Sequence, residues 1–212
     1  MAFIFPKLYP ILDSAILPAT NRAAYLARLG ASLTDAGVSL LEYRNKSGSD
    51  AEILADCATL RAAMPAGRVR LILDDRADLV ATAGFDGVHV DSGDITPAEA
   101  RALLGPHRIL GTFGGSDALL PGILNATADY LAIGPVFPTT TKHTTKPPIG
   151  IEGVRKLRAE AGPSVVLSAA AGITFDTAPV VLAAGASIVA VSAALFRAAD
   201  PAAEARRWLA QL

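Results

Sequence analysis

An apolar run, Tyr130-Leu131-Ala132-Ile133, breaks at Gly134-Pro135 and continues as Val136-Phe137-Pro138-Thr139-Thr140-Thr141-Lys142. Hydroxyls, free backbone N–H groups and an ammonium all suit phosphate oxygens. The same residues can also build an ordinary polar loop. Other residues able to do chemistry follow apolar runs in the same way. They are Glu42-Tyr43-Arg44-Asn45-Lys46, Asp74-Asp75-Arg76, His89-Val90-Asp91-Ser92-Gly93-Asp94, Ala170-Ala171-Gly172-Ile173 and Val191-Ser192.

Paired carboxylates from neighbouring strands can hold Mg²⁺, which favours hard oxygen ligands and keeps several waters. Asp75 and Asp94 are the leading candidates, with Asp74 and Asp91 as alternatives. Each also has a structural reading: Asp75 as a partner of Arg76 or a helix cap, Asp94 as a cap before Ile95-Thr96-Pro97. Arg44 and Lys46 lie two apart, so an extended backbone points them to one side. With Lys142 they could clamp a diphosphate; solvated rim charge is the alternative. Gly172 and Ser192 follow two adjacent late strands, where backbone N–H groups can face a phosphate. His89 reads as a packed histidine. No Gly-x-Ser-x-Gly, HExxH or reactive-cysteine arrangement occurs, so a site built to hold phosphates and metal is expected rather than a protein nucleophile.

The elements that must position these residues alternate regularly. Strands are expected at Leu8–Leu12, Ser39–Tyr43, Val69–Leu73, Gly87–Val90, Arg108–Thr112, Tyr130–Ile133, Val165–Ser168 and Ile188–Ser192. Helices are expected at Asn21–Ala36, Asp50–Ala63, Arg76–Ala83, Pro97–Leu104, Asp117–Ala126, Ile151–Glu160, Asp176–Ala184 and Pro201–Leu212. Ser49 with Glu52 has capping-box spacing, and Thr96-Pro97 and Asp200-Pro201 each place a cap before a first-turn proline. Strands apolar on both faces, alternating with helices, imply a parallel sheet covered by helices. Eight units in 212 residues point to a single α/β domain over 1–212, a (β/α)₈ TIM barrel. A doubly wound open sheet is the runner-up, weakened by the lack of Gly-x-Gly-x-x-Gly after the first strand.

Composition narrows the partners. Net charge is −1, which offers no attraction to nucleic acid or an anionic membrane. No apolar run approaches the roughly 18–20 residues of a membrane span. The first residues lack signal-peptide features, so a cytoplasmic protein is expected. The single cysteine, Cys57, excludes an internal disulfide and a cysteine-based zinc cluster. Outer barrel helices can be solvated or paired, which leaves a homodimer open.

Taken together, Leu8–Asp13, Tyr43-Arg44-Asn45-Lys46, Asp74–Leu79, Asp86–Val90, Gly134–Lys142, Gly172-Ile173, Gly185-Ala186 and Val191-Ser192-Ala193 resemble the thiamine phosphate synthase family and its thiazole tautomerase relatives. The resemblance implies an enzyme that joins a pyrimidinylmethyl diphosphate to a thiazole phosphate, releasing diphosphate. It implies Mg²⁺ on Asp75 and Asp94, and diphosphate on Arg44, Lys46 and Lys142. It implies thiazole phosphate on Thr139, Thr140, Thr141, Gly172, Val191 and Ser192. Glu42, Tyr43, Asn45 and Asp74 would complete the substrate contacts. The chain departs from the family at several places. Glu42 replaces a glutamine, Asp74 an asparagine, Asp91-Ser92 a Gly-Gln, Ala171 a glycine and Phe113 a serine. Glu42 and Asp74 each add a carboxyl, which could oppose a diphosphate, meet the pyrimidine amino group or share a proton. A tautomerase would be expected to use a histidine in Gly111–Gly115, where none stands. A non-catalytic phosphate-ligand binder is the reading from a different class.

Overall fold

We describe residues 3–91, 93–139 and 146–212 in a computed structural model of the chain. The strands are β1 (Leu8–Asp13), β2 (Leu40–Arg44), β3 (Arg70–Asp74), β4 (Gly87–Val90), β5 (Ile109–Gly115), β6 (Tyr130–Ile133), β7 (Leu167–Ala170) and β8 (Ile188–Val191). They are all parallel and close into a barrel in sequence order, β8 pairing back on β1. The helices are α1 (Arg22–Asp35), α2 (Asp50–Ala63), α3 (Val80–Ala83), α4 (Pro97–Leu104), α5 (Gly150–Ala161), α6 (Ala178–Ala183), α7 (Ala193–Phe196) and α8 (Pro201–Gln211). The open sheet is thereby excluded.

Strand periodicity sorts the side chains. In β2, Leu40, Glu42 and Arg44 face the barrel interior while Leu41 and Tyr43 face the helices. One apolar cluster fills the barrel floor around Tyr9, Leu40, Ile72, Ile109, Tyr130 and Ile188. A larger one lies between barrel and helices and includes the buried Trp208 of α8. Cys57 lies in that outer layer, and its burial pushes the thiol pKa up to about 12.

The expected caps form. Ser49 and Glu52 make a reciprocal capping box on α2, Thr96 and Glu99 another on α4, and Asp200 accepts from Ala202 and Ala203 at the start of α8. The helix expected at Asp117–Ala126 does not form. That stretch holds a 3₁₀ turn at Ile123–Asn125, because Pro121 and Gly122 (φ +74°) interrupt any helical ladder. The third and sixth helices are shorter than expected, and α7 is a short helix the sequence periodicity did not reveal.

One device recurs on the face away from the candidate site. Arg61, Arg101 and Arg158 stand near the ends of α2, α4 and α5. Each donates to carbonyls of the loop that follows its own helix and of the next helix–strand loop. Each also reaches a polar side chain (Asp86, Asp129 or Ser187), which in turn accepts a strand N–H from Leu71, Leu110 or Leu167. Loop carbonyls that helix and sheet leave open are satisfied in this way, so these arginines brace the barrel.

Candidate active site

The strands end in a cavity of about 970 Å³, near the upper end of small-molecule sites and large enough for two compact substrates. Its floor is a hydrogen-bonded chain. Tyr9 Oη donates to Glu42 Oε2 at 2.8 Å, the Tyr9 and Tyr130 hydroxyls meet at 2.9 Å, and Tyr130 Oη lies 3.1 Å from His89 Nδ1. The His89 and Tyr130 rings stack at 5.6 Å. Gly111 makes room for this arrangement. A Cβ there would stand 2.0 Å from Tyr130 Cζ, well inside contact distance. None of Tyr9, Tyr130 or His89 was marked for the site by sequence, because buried tyrosines and a lone histidine read as core. Only their convergence from β1, β4 and β6 distinguishes them.

Glu42 is 3% exposed. Its burial, and next the Asp74 carboxyl, push its pKa up to about 8, so it carries a proton at neutral pH. Burial likewise raises Asp74, to about 6, against the pull of Lys46. Glu42 and Asp74 are therefore a buried acid and a cation-bound carboxylate, not two bare charges.

The charged wall lies at the ends of β1 to β3. Arg44 ion-pairs with Asp13 and comes within 3.4 Å of Asp74 Oδ2. Lys46 Nζ lies 3.0 Å from the same Asp74 oxygen and also pairs with Asp75. Both cations thus turn to the side expected from their spacing. Asp75 takes a positive φ of 63°, uncommon for a non-glycine residue. Its carboxyl meets Lys46, whereas Arg76 pairs with Asp50 and Asp78. Asp75 Oδ1 is buried and accepts no hydrogen bond; Asp74 Oδ2 has ion-pair contacts only. Asp94 accepts from Asp91 N–H at 2.8 Å, and burial followed by its contact with Asp75 holds its pKa above the usual range. The orphaned buried oxygen of Asp75 beside the Asp94 carboxyl is a donor set that suits a hard cation once both are ionised. No group of three or more His, Cys, Asp and Glu side chains suited to a metal occurs among the described residues. Such a cation would therefore keep waters or take substrate oxygens. Asp13, Arg44, Asp74 and Asp91 line the cavity; Lys46, Asp75 and Asp94, expected in the site, are not among the lining residues, and Lys46 is tied to the lining residue Asp74 by an ion pair.

The opposite corner is built differently. Thr139, Gly172, Val191 and Ser192 all line the cavity. Gly172 has φ +68°, and a Cβ there would meet Pro138 O at 2.5 Å, so the turn after β7 admits glycine alone. Ser192 caps α7. Thr140, Thr141 and Lys142, expected on this side, lie outside the described residues.

Tyr43 and Asn45 are a correction. They point to the helix layer, away from Glu42 and Arg44, and are not among the residues lining the cavity. The Tyr43 hydroxyl donates to Asp56, which also pairs with Arg22 at 2.5 Å, while Asn45 Nδ2 donates to Tyr43 Oη at 3.1 Å. Asn45 Oδ1 accepts from Gly48 N–H at 2.8 Å. These two residues hold the β2–α2 loop, rather than a ligand, because strand alternation places them on the outer face.

The thiamine monophosphate synthase family profile matches residues 8–195. The chain belongs to that family. It is 40% identical over 204 residues to the thiamine-phosphate synthase of Koribacter versatilis, covering 96% of this chain and 94% of that one. It is 40% identical over 167 residues to the thiamine-phosphate synthase of Agrobacterium fabrum, covering 77% and 76%. Among solved structures, the thiamine phosphate pyrophosphorylase of Pyrococcus furiosus superposes with a TM-score of 0.76 at 26% identity, covering 97% and 94%. A 3-hexulose-6-phosphate synthase at 21% identity and TM-score 0.65 shares the barrel fold.

Proposed function

We propose that the protein is a thiamine-phosphate synthase: a transferase that joins a pyrimidinylmethyl diphosphate to a thiazole phosphate and releases diphosphate. One observation carries the reading. A single cavity is lined by Arg44 and Asp74, which is ion-paired with Lys46, and by a glycine–hydroxyl corner at Thr139, Gly172 and Ser192. Two phosphorylated substrates can thus be held facing each other. Membership of the family and two relatives of that name support the same reading.

The reaction breaks the bond from the pyrimidine methylene carbon to the diphosphate oxygen and forms a bond from that carbon to the thiazole nitrogen. Arg44 and Lys46 would take the charge that grows on the departing diphosphate. Asp75 and Asp94 would hold Mg²⁺, which as a Lewis acid would stabilise the same charge when bound. Gly172 and the Ser192 turn would fix the thiazole phosphate and so aim its ring nitrogen. Glu42, protonated at neutral pH, presents a carboxylic acid rather than a carboxylate to the pyrimidine side. The floor chain through Tyr9 and Tyr130 fixes its orientation. Among the described residues no helix is long and apolar enough to cross a membrane; a cytoplasmic location belongs to the same proposal.

The test is an assay with both substrates and Mg²⁺, reading thiamine phosphate and diphosphate together. Stoichiometric formation of both is expected. Product formation no faster than the uncatalysed rate would refute the reading. Conversion of a thiazole carboxylate phosphate isomer, with no coupling, would replace it with a tautomerase. Binding of thiazole phosphate without Mg²⁺-dependent binding of the pyrimidine diphosphate would replace it with a non-catalytic binder.

A further inference from the structure

In a closed barrel of eight strands in sequence order, each strand faces the one four places on, so β7 stands across the axis from β3. Alternation along β7 turns Leu167 and Ala169 to the helix layer, and Ser168 and Ala170 to the interior. Ser168 is in register with Ala132 of β6 and Ile188 of β8. Ala132, Ala170 and Ala190 line the cavity around it, and such short side chains leave a recess on this wall.

Ser168 is 1% exposed, yet its hydroxyl makes no hydrogen bond among the described residues. A buried hydroxyl without a partner is costly, and an alanine at the same place would carry no such cost. The hydroxyl is not sealed into the core, because Ser168 is one of the residues lining the cavity. Its partner must come from what the cavity holds: water in the free protein, a polar atom of the ligand once one binds.

Position and chemistry decide which ligand. A diphosphate held at Arg44 and the end of β3 projects the group it carries across the axis, toward β7. A pyrimidine ring has two nitrogens with lone pairs in its plane, and burying them unpaired is costly. The thiazole phosphate, fixed at the corner after β7 and β8, must keep its ring nitrogen free to attack carbon. A hydroxyl donor on this wall therefore suits the pyrimidine and not the thiazole.

We propose that Ser168 donates a hydrogen bond to a ring nitrogen of the bound pyrimidine and so selects the heteroaromatic ring of the diphosphate substrate. The proposal rests on the synthase reading of the same cavity. Ser168 takes no part in the bond change. It holds the ring on the side opposite the diphosphate, and two anchors on opposite walls fix where the methylene carbon lies.

The experiment is calorimetric titration of the full chain, with Mg²⁺, by the pyrimidine diphosphate and separately by inorganic diphosphate, alongside KM for thiazole phosphate and melting curves. Ser168→Ala should bind the pyrimidine diphosphate about tenfold more weakly, the size of one lost hydrogen bond. Its affinity for inorganic diphosphate and its KM for thiazole phosphate should stay within about twofold of the parent. Ser168→Thr and Ser168→Val have the same shape and differ in the hydroxyl, so the threonine variant should bind the pyrimidine diphosphate about tenfold more tightly than the valine variant. Ser168→Ala should melt no lower than the parent, since it removes a hydroxyl that no protein group satisfies. A residue with a structural role would lose stability instead and weaken both diphosphates alike, and that result would overturn the proposal. So would a loss confined to thiazole phosphate. If the parent makes thiamine phosphate and Ser168→Ala binds the pyrimidine diphosphate as well as the parent does, the proposal alone fails. If that binding depends on Ser168 but no thiamine phosphate forms, the synthase reading alone fails. If the parent binds no pyrimidine diphosphate, both fail.

Discussion

Tyr9 donates its hydroxyl proton to Glu42 Oε2 at 2.8 Å, at a point where both side chains are buried inside the barrel. A hydroxyl and a carboxyl satisfy each other there. Tyr9→Phe removes the donor and leaves a buried acceptor short of a partner, which costs about 1–3 kcal/mol. Denaturant unfolding of the variant should show that loss. A variant as stable as the parent would mean that Glu42 finds another partner.

The protonation of Glu42 has a direction that pH can read. Its pKa rises from 4.5 to about 8 on folding, so the folded chain binds more protons than the unfolded chain between those values. This contribution to stability is full below pH 4.5 and is lost as pH rises through about 8. Glu42→Gln has no such loss. Relative to the parent it should gain up to about 4 kcal/mol between pH 5 and pH 8.5. Melting curves at the two pH values check this; a constant offset between the proteins would contradict it. Activity should follow the same group. Above pH 8 the parent should lose affinity for the pyrimidine diphosphate, and Glu42→Gln should retain it.

The orphaned Asp75 Oδ1 and its neighbour Asp94 lead to a metal prediction. Asp75→Asn and Asp94→Asn should each raise the Mg²⁺ concentration for half-maximal activity and lower kcat by about 100-fold or more, as loss of charge at a metal site would. A Mg²⁺ titration of the synthase assay gives the readout. Chelation should abolish activity in the parent, and Mg²⁺ should restore it. Unaltered Mg²⁺ dependence in both variants would remove these residues from the metal.

Adjacent residues Tyr43 and Arg44 should separate cleanly. Tyr43→Phe breaks the buried link to Asp56 and should lower stability by about 1–2 kcal/mol, leaving KM for both substrates unchanged. Arg44→Met should chiefly raise the KM for the pyrimidine diphosphate. A changed substrate KM in Tyr43→Phe, without a stability loss, would place Tyr43 in the site after all.

Gly172→Ala is the sharpest probe of the phosphate corner. The new Cβ would sit 2.5 Å from Pro138 O at φ +68°, so the turn must shift. Affinity for thiazole phosphate should fall by about tenfold or more, while binding of diphosphate with Mg²⁺ stays close to the parent. A uniform loss of both would indicate a general collapse of the rim.

The alternation of apolar runs with capped helical segments fixed the barrel in advance, because a strand buried on both faces needs helices on the outside. It also put Arg44, Lys46, Asp74 and Asp75 at strand ends, where an α/β barrel carries chemistry. The Asp117–Ala126 stretch misled because its alanines and leucines favour a helix, while Pro121-Gly122 decides against one. Tyr43 and Asn45 misled because a motif read as a string ignores the twofold alternation that turns every second residue outward.

By itself the sequence determined which residue types reach the rim and in which order, since strand period and chain order follow from local patterning. Whether Glu42 is an acid or a carboxylate depended on its burial beside Asp74. Whether Asp75 meets Arg76 or Lys46 depended on a left-handed backbone turn. Whether Tyr9, Tyr130 and His89 are core or cavity floor depended on barrel closure, which brings β1, β4 and β6 to one axis. The same closure set Ser168 of β7 across the axis from Asp74 of β3. These are distances between residues far apart in the chain, and only the tertiary structure sets them.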